Sequence, residues 1–237
     1  MITAKDFKTF EALKKFICED CQKPIITSDN FNDTLQTGDI LLFSGQSSLS
    51  WRIKLFTPKQ GKYRTIWNHV GMVLKLENPE IQTEDDNPFR LKAPNFFLIE
   101  SIGIGVRLIP LELTTGNYDA KKGYNGNILV ARHQELADKN AAKKQLKEIF
   151  DFAISHINTP FDNLDITKWA IRAIIRKLPI IPYRSFYHLS SNPPFVCTEL
   201  VYHSYGAAKI KLHNTPGMIT AEDIWRDTKL SPIGVLE

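Results

Sequence analysis

Apolar residues change their spacing along the chain, dividing it into a strand-rich first half and a helix-rich second half. Short apolar runs bounded by turn-forming residues are typical of buried strands. The predicted strands are 40–43, 69–76, 95–101, 106–109 and 127–133. Helical spacing over 6–19 predicts an amphipathic N-terminal helix before them. The polar stretch 77–95, which contains three prolines, predicts a loop.

The second half predicts helices at 138–157, 166–178 and 197–206, with a short helix capped by Thr220 after them. Because strands cluster early and helices cluster late, we expect an α+β fold with a mostly antiparallel sheet packed against helices. We divide the chain into an N-terminal helical extension, residues 1–34, and one main domain, residues 35–237.

The composition and the charge of the chain argue against some classes of protein. The 237 residues contain 43% hydrophobic residues and a formal net charge of +4. That charge is too small to indicate a nucleic-acid partner. The charged N-terminus has no signal-peptide core, and no apolar run reaches the length of a membrane span. We therefore expect a chain that is cytoplasmic as synthesised, with signal-independent export or a removed leader left open.

Cysteine usage also favours a reducing compartment, because three cysteines cannot all pair with one another. Cys18 and Cys21 have the C-x-x-C spacing of redox and zinc motifs. Neither a βαβ context nor a second cysteine pair accompanies them. We interpret them mainly as the end of the N-terminal helix.

Cys197 is the strongest candidate for chemistry. It follows a proline-stopped loop and begins a predicted helix. A helix N-terminus presents free N–H groups and the positive end of the dipole, and both favour thiolate over thiol. The thiolate is the nucleophile of cysteine hydrolases.

His69 and Glu100 are candidate partners for this thiol. His69 opens a predicted strand, with the small Gly71 on the same face. Glu100 shares a strand face with two large apolar residues, so it lies either at the sheet rim or in a deliberate buried position. Taken alone, His69 is better explained as an ordinary edge histidine. Together the three residues match a nucleophile, a general base and the group that orients the base.

Two alternatives from other classes remain open at this point. Cys197, His69 and a carboxylate are legitimate zinc ligands, although none of them has paired ligand spacing. The same fold could also serve as a non-catalytic module that binds a lipid or a peptide. In that case Cys197 would have ordinary thiol reactivity.

Four segments together carry a family resemblance: GDILLF at 38–43, WNHVGM at 67–72, FLIES at 97–101 and FVCTELV at 195–201. In this order they resemble the circularly permuted NlpC-type papain-like cysteine hydrolases. More narrowly, they resemble the YiiX-like branch, which is related to the lecithin retinol acyltransferase-like proteins. The later segment ITAEDI at 219–224 also resembles a recurring part of this family.

The resemblance implies a permuted papain-like domain in which Cys197 is the nucleophile, His69 the base and Glu100 the third polar residue. His133, at the end of a predicted strand, is the rival third residue. The implied reaction is cleavage of an amide or ester bond through an acyl-enzyme, on a cell-wall peptide or a lipid or acyl substrate, without a cofactor. The extra N-terminal helix and a helical insertion at about 160–192 depart from simpler members.

A basic, apolar segment suggests one further partner. Residues 166–184 carry five Lys or Arg residues and no acid, interleaved with Ile, Leu and Trp. This composition is typical of a helix at a membrane surface, and also of a packed helix with solvated basic residues. Residues 51–56, WRIKLF, have a similar mixture. Peripheral membrane contact therefore stays open.

Overall fold

A mostly antiparallel β-sheet forms the centre of the fold. The computed structural model describes residues 3–45, 65–76, 96–116, 123–138, 140–159, 196–212 and 219–237. In these residues the sheet has seven strands in the order β1-β7-β6-β2-β3-β4-β5, with only β1 and β7 parallel. The strands are β1 Ile25–Ile26, β2 Ile40–Gly45, β3 His69–Lys75, β4 Phe96–Ile102, β5 Gly105–Pro110, β6 Gly126–His133 and β7 Leu230–Leu236.

Helices lie before, between and after the strands of this sheet. They are α1 Phe10–Lys15, α2 Phe31–Thr34, α3 Leu113–Gly116, α4 Lys143–Ser155, α5 Cys197–Ala207 and α6 Ala221–Trp225. Short 3₁₀ turns at Ala4–Asp6, Ser28–Asn30 and Gln134–Leu136, and a π-helical turn at Phe16–Asp20, complete the described elements. The single N-terminal helix predicted over 6–19 is therefore three consecutive helical pieces.

The alternation of residues along the strands separates two hydrophobic cores. Ile40, Leu42 and Met72 belong to the larger core, which contains apolar residues of α1, α4, α5 and α6. Leu41 and Val73, one position away on the same strands, belong to the smaller core. Period two in a strand produces this division, and it confirms the predicted α+β architecture.

A buried ion pair fixes the turn that leads into β2. Asp39 is fully buried, and Arg132 of β6 donates to it through Nε (2.7 Å) and Nη2 (2.8 Å). Gly38 has a φ of +88°, which favours glycine, and its carbonyl accepts a hydrogen bond from Tyr205 of α5 (2.5 Å). The turn therefore connects the sheet to the helix that begins at Cys197.

Several sequence predictions fall outside the described residues. These are the loop at 77–95, the helix at 166–178 and the insertion at about 160–192. None of the helices in the described ranges is both long and apolar enough to cross a membrane.

Candidate active site

His69 and Glu100 meet between adjacent strands. Nε2 of His69, at the first residue of β3, lies 2.6 Å from Oε2 of Glu100 in β4. The Glu100 side chain is fully buried, and that of His69 is 13% exposed. A buried carboxylate needs polar partners, and the imidazole is one of them. This contact therefore joins His69 and Glu100, two of the three predicted site residues.

Gly71 creates the space for this contact. The register pairs Met72 with Ile99, which places Gly71 opposite Glu100. A Cβ on Gly71 would lie 2.5 Å from Leu98 Cδ1 and 3.2 Å from Glu100 Cβ. A side chain at this position would require Leu98 to move its side chain and β4 to give by a few tenths of an ångström.

Arg107 is a second partner of Glu100, and the sequence analysis missed it. Its Nε and Nη2 donate to Oε1 of Glu100 at 2.8 and 2.6 Å. The two residues are directly opposed in the β4–β5 hairpin, which closes with Ile102 opposite Gly105. Opposite charges at equal distances from the Gly103–Ile104 turn were the sequence signal that could have revealed the pair.

Cys197 reaches His69 from the first turn of α5, which packs against β3 and β4. Burial lowers the pKa of His69, but the charge and hydrogen bond of Cys197, together with Glu100, raise it to about 10. Since Nε2 faces Glu100, Nδ1 is the ring nitrogen left for the sulfur. This arrangement stabilises an imidazolium between two negative groups.

Aromatic packing holds the imidazole from a further side. The Phe43 ring of β2 lies 5.0 Å from the His69 ring, between centroids, and the two residues are paired in the β2–β3 register. Tyr124 packs edge-on against Phe43 at 4.9 Å. The ring of His69 is therefore fixed by apolar contacts as well as by its hydrogen bonds.

Two hydrogen bonds set the start of α5. The Glu199 carboxylate accepts from the backbone N–H of Val196 (3.2 Å), so Glu199 acts as a helix-capping residue. The Thr198 hydroxyl donates to the Ile219 carbonyl (2.9 Å), which ties the helix to the segment that leads into α6. The first N–H groups of a helix have no intrahelical partner, so the N–H of Cys197 is suited to stabilise an oxyanion.

His133 occupies a different environment from its rival Glu100. It is fully buried at the end of β6, its Nδ1 accepts from the Glu135 N–H (3.3 Å), and its ring packs against Tyr205. Burial lowers the pKa of His133. Within the described ranges its Nε2 has no hydrogen-bond partner. Among the described residues His133 makes no hydrogen bond to His69, whereas Glu100 binds His69 directly.

The side chains of Cys197, His69 and Glu100, considered above as zinc ligands, are not arranged to bind a metal ion. One oxygen of Glu100 binds His69 and the other accepts two bonds from the cationic Arg107. A cation at Glu100 would have to displace an arginine. Among the described residues, no group of three or more His, Cys, Asp or Glu side chains has a metal-binding arrangement.

The described fold is a mixed α+β architecture in which helices pack on a mostly antiparallel sheet. A solved structure with a similar fold is that of the metalloprotein yiiX from Escherichia coli O157:H7. The TM-score is 0.54 and the sequence identity 16%, and the match covers 85% of this chain and 97% of that chain. At this identity the likeness shows a yiiX-like fold alone. No family model and no curated protein matches the sequence.

The resemblance to permuted NlpC-type hydrolases stays a prediction, as does the division of the chain at residue 35. The basic segment 166–184 and the segment 51–56 lie outside the described residues. Membrane contact through them also stays a prediction.

Proposed function

We propose that the chain is a cysteine hydrolase or acyltransferase that cleaves an amide or ester bond through an acyl-enzyme. The observation that carries this proposal is the position of His69 between the Glu100 carboxylate, at 2.6 Å, and the Cys197 side chain at a helix start. An imidazole aligned between an orienting carboxylate and a thiol is the arrangement that nucleophilic catalysis requires.

The reaction begins with attack of the Cys197 sulfur on the carbonyl carbon. A C–S bond forms, and the carbonyl electron pair moves to an oxyanion beside the N–H of Cys197. When the carbonyl re-forms, the C–N or C–O bond breaks, and the His69 imidazolium gives its proton to the leaving group. A thioester on Cys197 remains.

Release of the acyl group reverses these roles. Water, or an acceptor alcohol or amine, gives its proton to His69 as it attacks the thioester. The Cys197 thiolate then leaves and is paired again with the imidazolium. Glu100 stays ionised throughout and keeps Nε2 of His69 as a donor.

Two substrate classes follow from the family resemblance, a cell-wall peptide and a lipid or acyl ester. Turnover of matched panels, peptidoglycan-derived peptides against phospholipids and thioesters, decides between them. Cys197→Ala and His69→Ala should abolish turnover of whichever panel is active. Unchanged turnover in Cys197→Ala would contradict the proposal.

The third residue is tested with amide variants of its two candidates. Glu100→Gln should lower kcat by about 10²–10⁴-fold, because the base loses its orienting charge. His133→Gln serves as the matched control and should keep kcat within a few-fold. The reverse pattern would assign the third role to His133.

A further inference from the structure

We propose that Arg107 is a positioning residue of the site, which keeps Glu100 in its carboxylate form and directs the second carboxylate oxygen to His69. The inference rests on the proposed function for its catalytic meaning, but the contacts that carry it are independent of any substrate. Arg107 donates two hydrogen bonds to a single oxygen, Oε1, and His69 is bound by the other, Oε2.

Burial makes this arginine necessary. The Glu100 side chain is fully buried and the Arg107 side chain is 17% exposed. An ionised carboxylate in such a place is costly unless a charged, hydrogen-bonded partner balances it. Arginine is suited to the task because its guanidinium stays charged and donates in a fixed geometry. The cross-strand register of β4 and β5 places it directly opposite Glu100.

Charged groups face Glu100 from three elements. Arg107 faces it from β5 and His69 from β3, and Cys197 of α5 lies beyond His69. The signs alternate from the guanidinium to the carboxylate, the imidazolium and the thiolate. Removal of Arg107 leaves a net negative buried group, which is relieved when Glu100 takes up a proton. Protonated Glu100 no longer balances the imidazolium charge, so His69 releases its proton at a lower pH.

The chain contains a matched control pair. Arg132 donates two hydrogen bonds to the fully buried Asp39, and its side chain is 20% exposed. Asp39 lies four residues before Phe43, the β2 partner of His69, which is about 13 Å along the strand. Both arginines therefore neutralise a buried carboxylate, but only Arg107 does so beside His69.

The experiment follows the pKa of His69 by NMR titration of the histidine rings. Arg107→Gln should lower the pKa of His69 by about one unit, because Glu100 then binds a proton and no longer balances the imidazolium. Arg107→Lys keeps the charge and should restore most of this pKa. Arg132→Gln should leave the pKa of His69 unchanged even though it lowers the unfolding temperature.

A double-mutant cycle with Glu100→Gln covers the case in which Arg107→Gln does not fold. If Arg107 acts through Glu100, Arg107→Gln lowers the pKa of His69 no further in a Glu100→Gln background, and Glu100→Gln alone shows the full lowering. An unchanged His69 pKa in Arg107→Gln, or an equal further lowering in the Glu100→Gln background, overturns the inference. The titration needs no substrate, so a chain without turnover still returns a result for Arg107.

Discussion

Gly71, which has no side chain, allows β3 and β4 to approach each other at the candidate site. Gly71 of β3 faces Glu100 of β4, and a Cβ there would approach Leu98 Cδ1 to 2.5 Å and the Ile99 carbonyl oxygen to 3.1 Å. The Leu98 contact is with a side chain, but the Ile99 contact is with backbone of the same strand. The Leu98 side chain can relieve the first contact by moving, whereas relief of the second requires β4, the strand of Glu100, to give by a few tenths of an ångström.

We predict that Gly71→Ala lowers the free energy of unfolding by about 1–3 kcal/mol, as overpacked cores do, and slows Cys197 alkylation. Gly103→Ala is the matched control, because a Cβ at Gly103 would meet no atom within 4 Å. Urea unfolding and alkylation rates check both variants. Equal behaviour of the two alanine variants would show that Gly71 does not create the space for the contact.

The charge state of His69 is the second feature at the residue scale. Cys197 and Glu100 overcome the effect of burial and raise the pKa of His69 from its ordinary 6.5 to about 10. The imidazole is therefore protonated throughout the neutral range, and it loses its proton only as the pH rises through about 10. A general acid that needs this proton should lose activity above that pH, not near 6.5.

We predict that NMR titration of the histidine ring finds His69 titrating near pH 10, and that Cys197→Ala lowers this pKa by about 1–3 units because one negative neighbour is gone. His133 is an internal control in the same spectra. Burial lowers its pKa, and Cys197→Ala should leave it unchanged. A His69 pKa near 6.5 in the unaltered chain would contradict an imidazolium–thiolate pair.

At the scale of elements, α5 delivers Cys197 to the sheet, and its start is held by a bond to another segment. Thr198 is buried and donates to the carbonyl of Ile219, 21 positions away. Ser204 is also buried, but its hydroxyl donates within the helix to Leu200 (2.6 Å). Only the first of these bonds fixes the helix start relative to the rest of the molecule.

We predict that Thr198→Val costs about 1–3 kcal/mol, since it leaves the buried Ile219 carbonyl without its donor, and that it slows Cys197 alkylation. Ser204→Ala should cost less and leave the alkylation rate unchanged, because the Leu200 carbonyl keeps its helical environment. Chemical denaturation and alkylation rates measure both effects. Loss of reactivity in Ser204→Ala but not in Thr198→Val would contradict this assignment.

The sequence predicted the central strands well because their apolar runs are short, dense and bounded by turns. It missed β7, which pairs with β6 although it contains Pro232 and Gly234. Both residues are depleted in strands, and β7 pairs with β6 through a register shift between Val130 and Ala131. Two-residue β1 was missed because so short a strand has no detectable periodicity.

At the scale of the whole molecule, the described N-terminal residues pack against the rest of the fold. Phe10, Leu13 and Ile17 lie in the larger core. Ile25 and Ile26 of β1 extend the sheet beside β7. Long-range pairing of this kind leaves no mark in the local apolar pattern, so sequence analysis could detect the N-terminal helix but not its place in the fold.

The candidate site shows the same limit. Cys197, His69 and Glu100 could be selected because each is chemically unusual for its place in a strand or at a helix start. Arg107 could not be selected on that basis, since an arginine in a half-buried hairpin strand is unremarkable until its register with Glu100 is known. From the sequence, Gly71 could be identified only as a small residue on the same strand face as His69. The fold shows that it also lies against Glu100.

Trapping the intermediate would show whether Cys197 forms a covalent acyl-enzyme with His69 as its base. The chain is mixed with an activated acetyl ester, quenched in acid and analysed by intact mass and peptide mapping. We expect one acetyl group on Cys197, absent from Cys197→Ala, strongly reduced in His69→Ala and unchanged in Cys21→Ser. Acetylation elsewhere with Cys197 unmodified, or equal labelling of Cys197 in His69→Ala, would contradict this expectation.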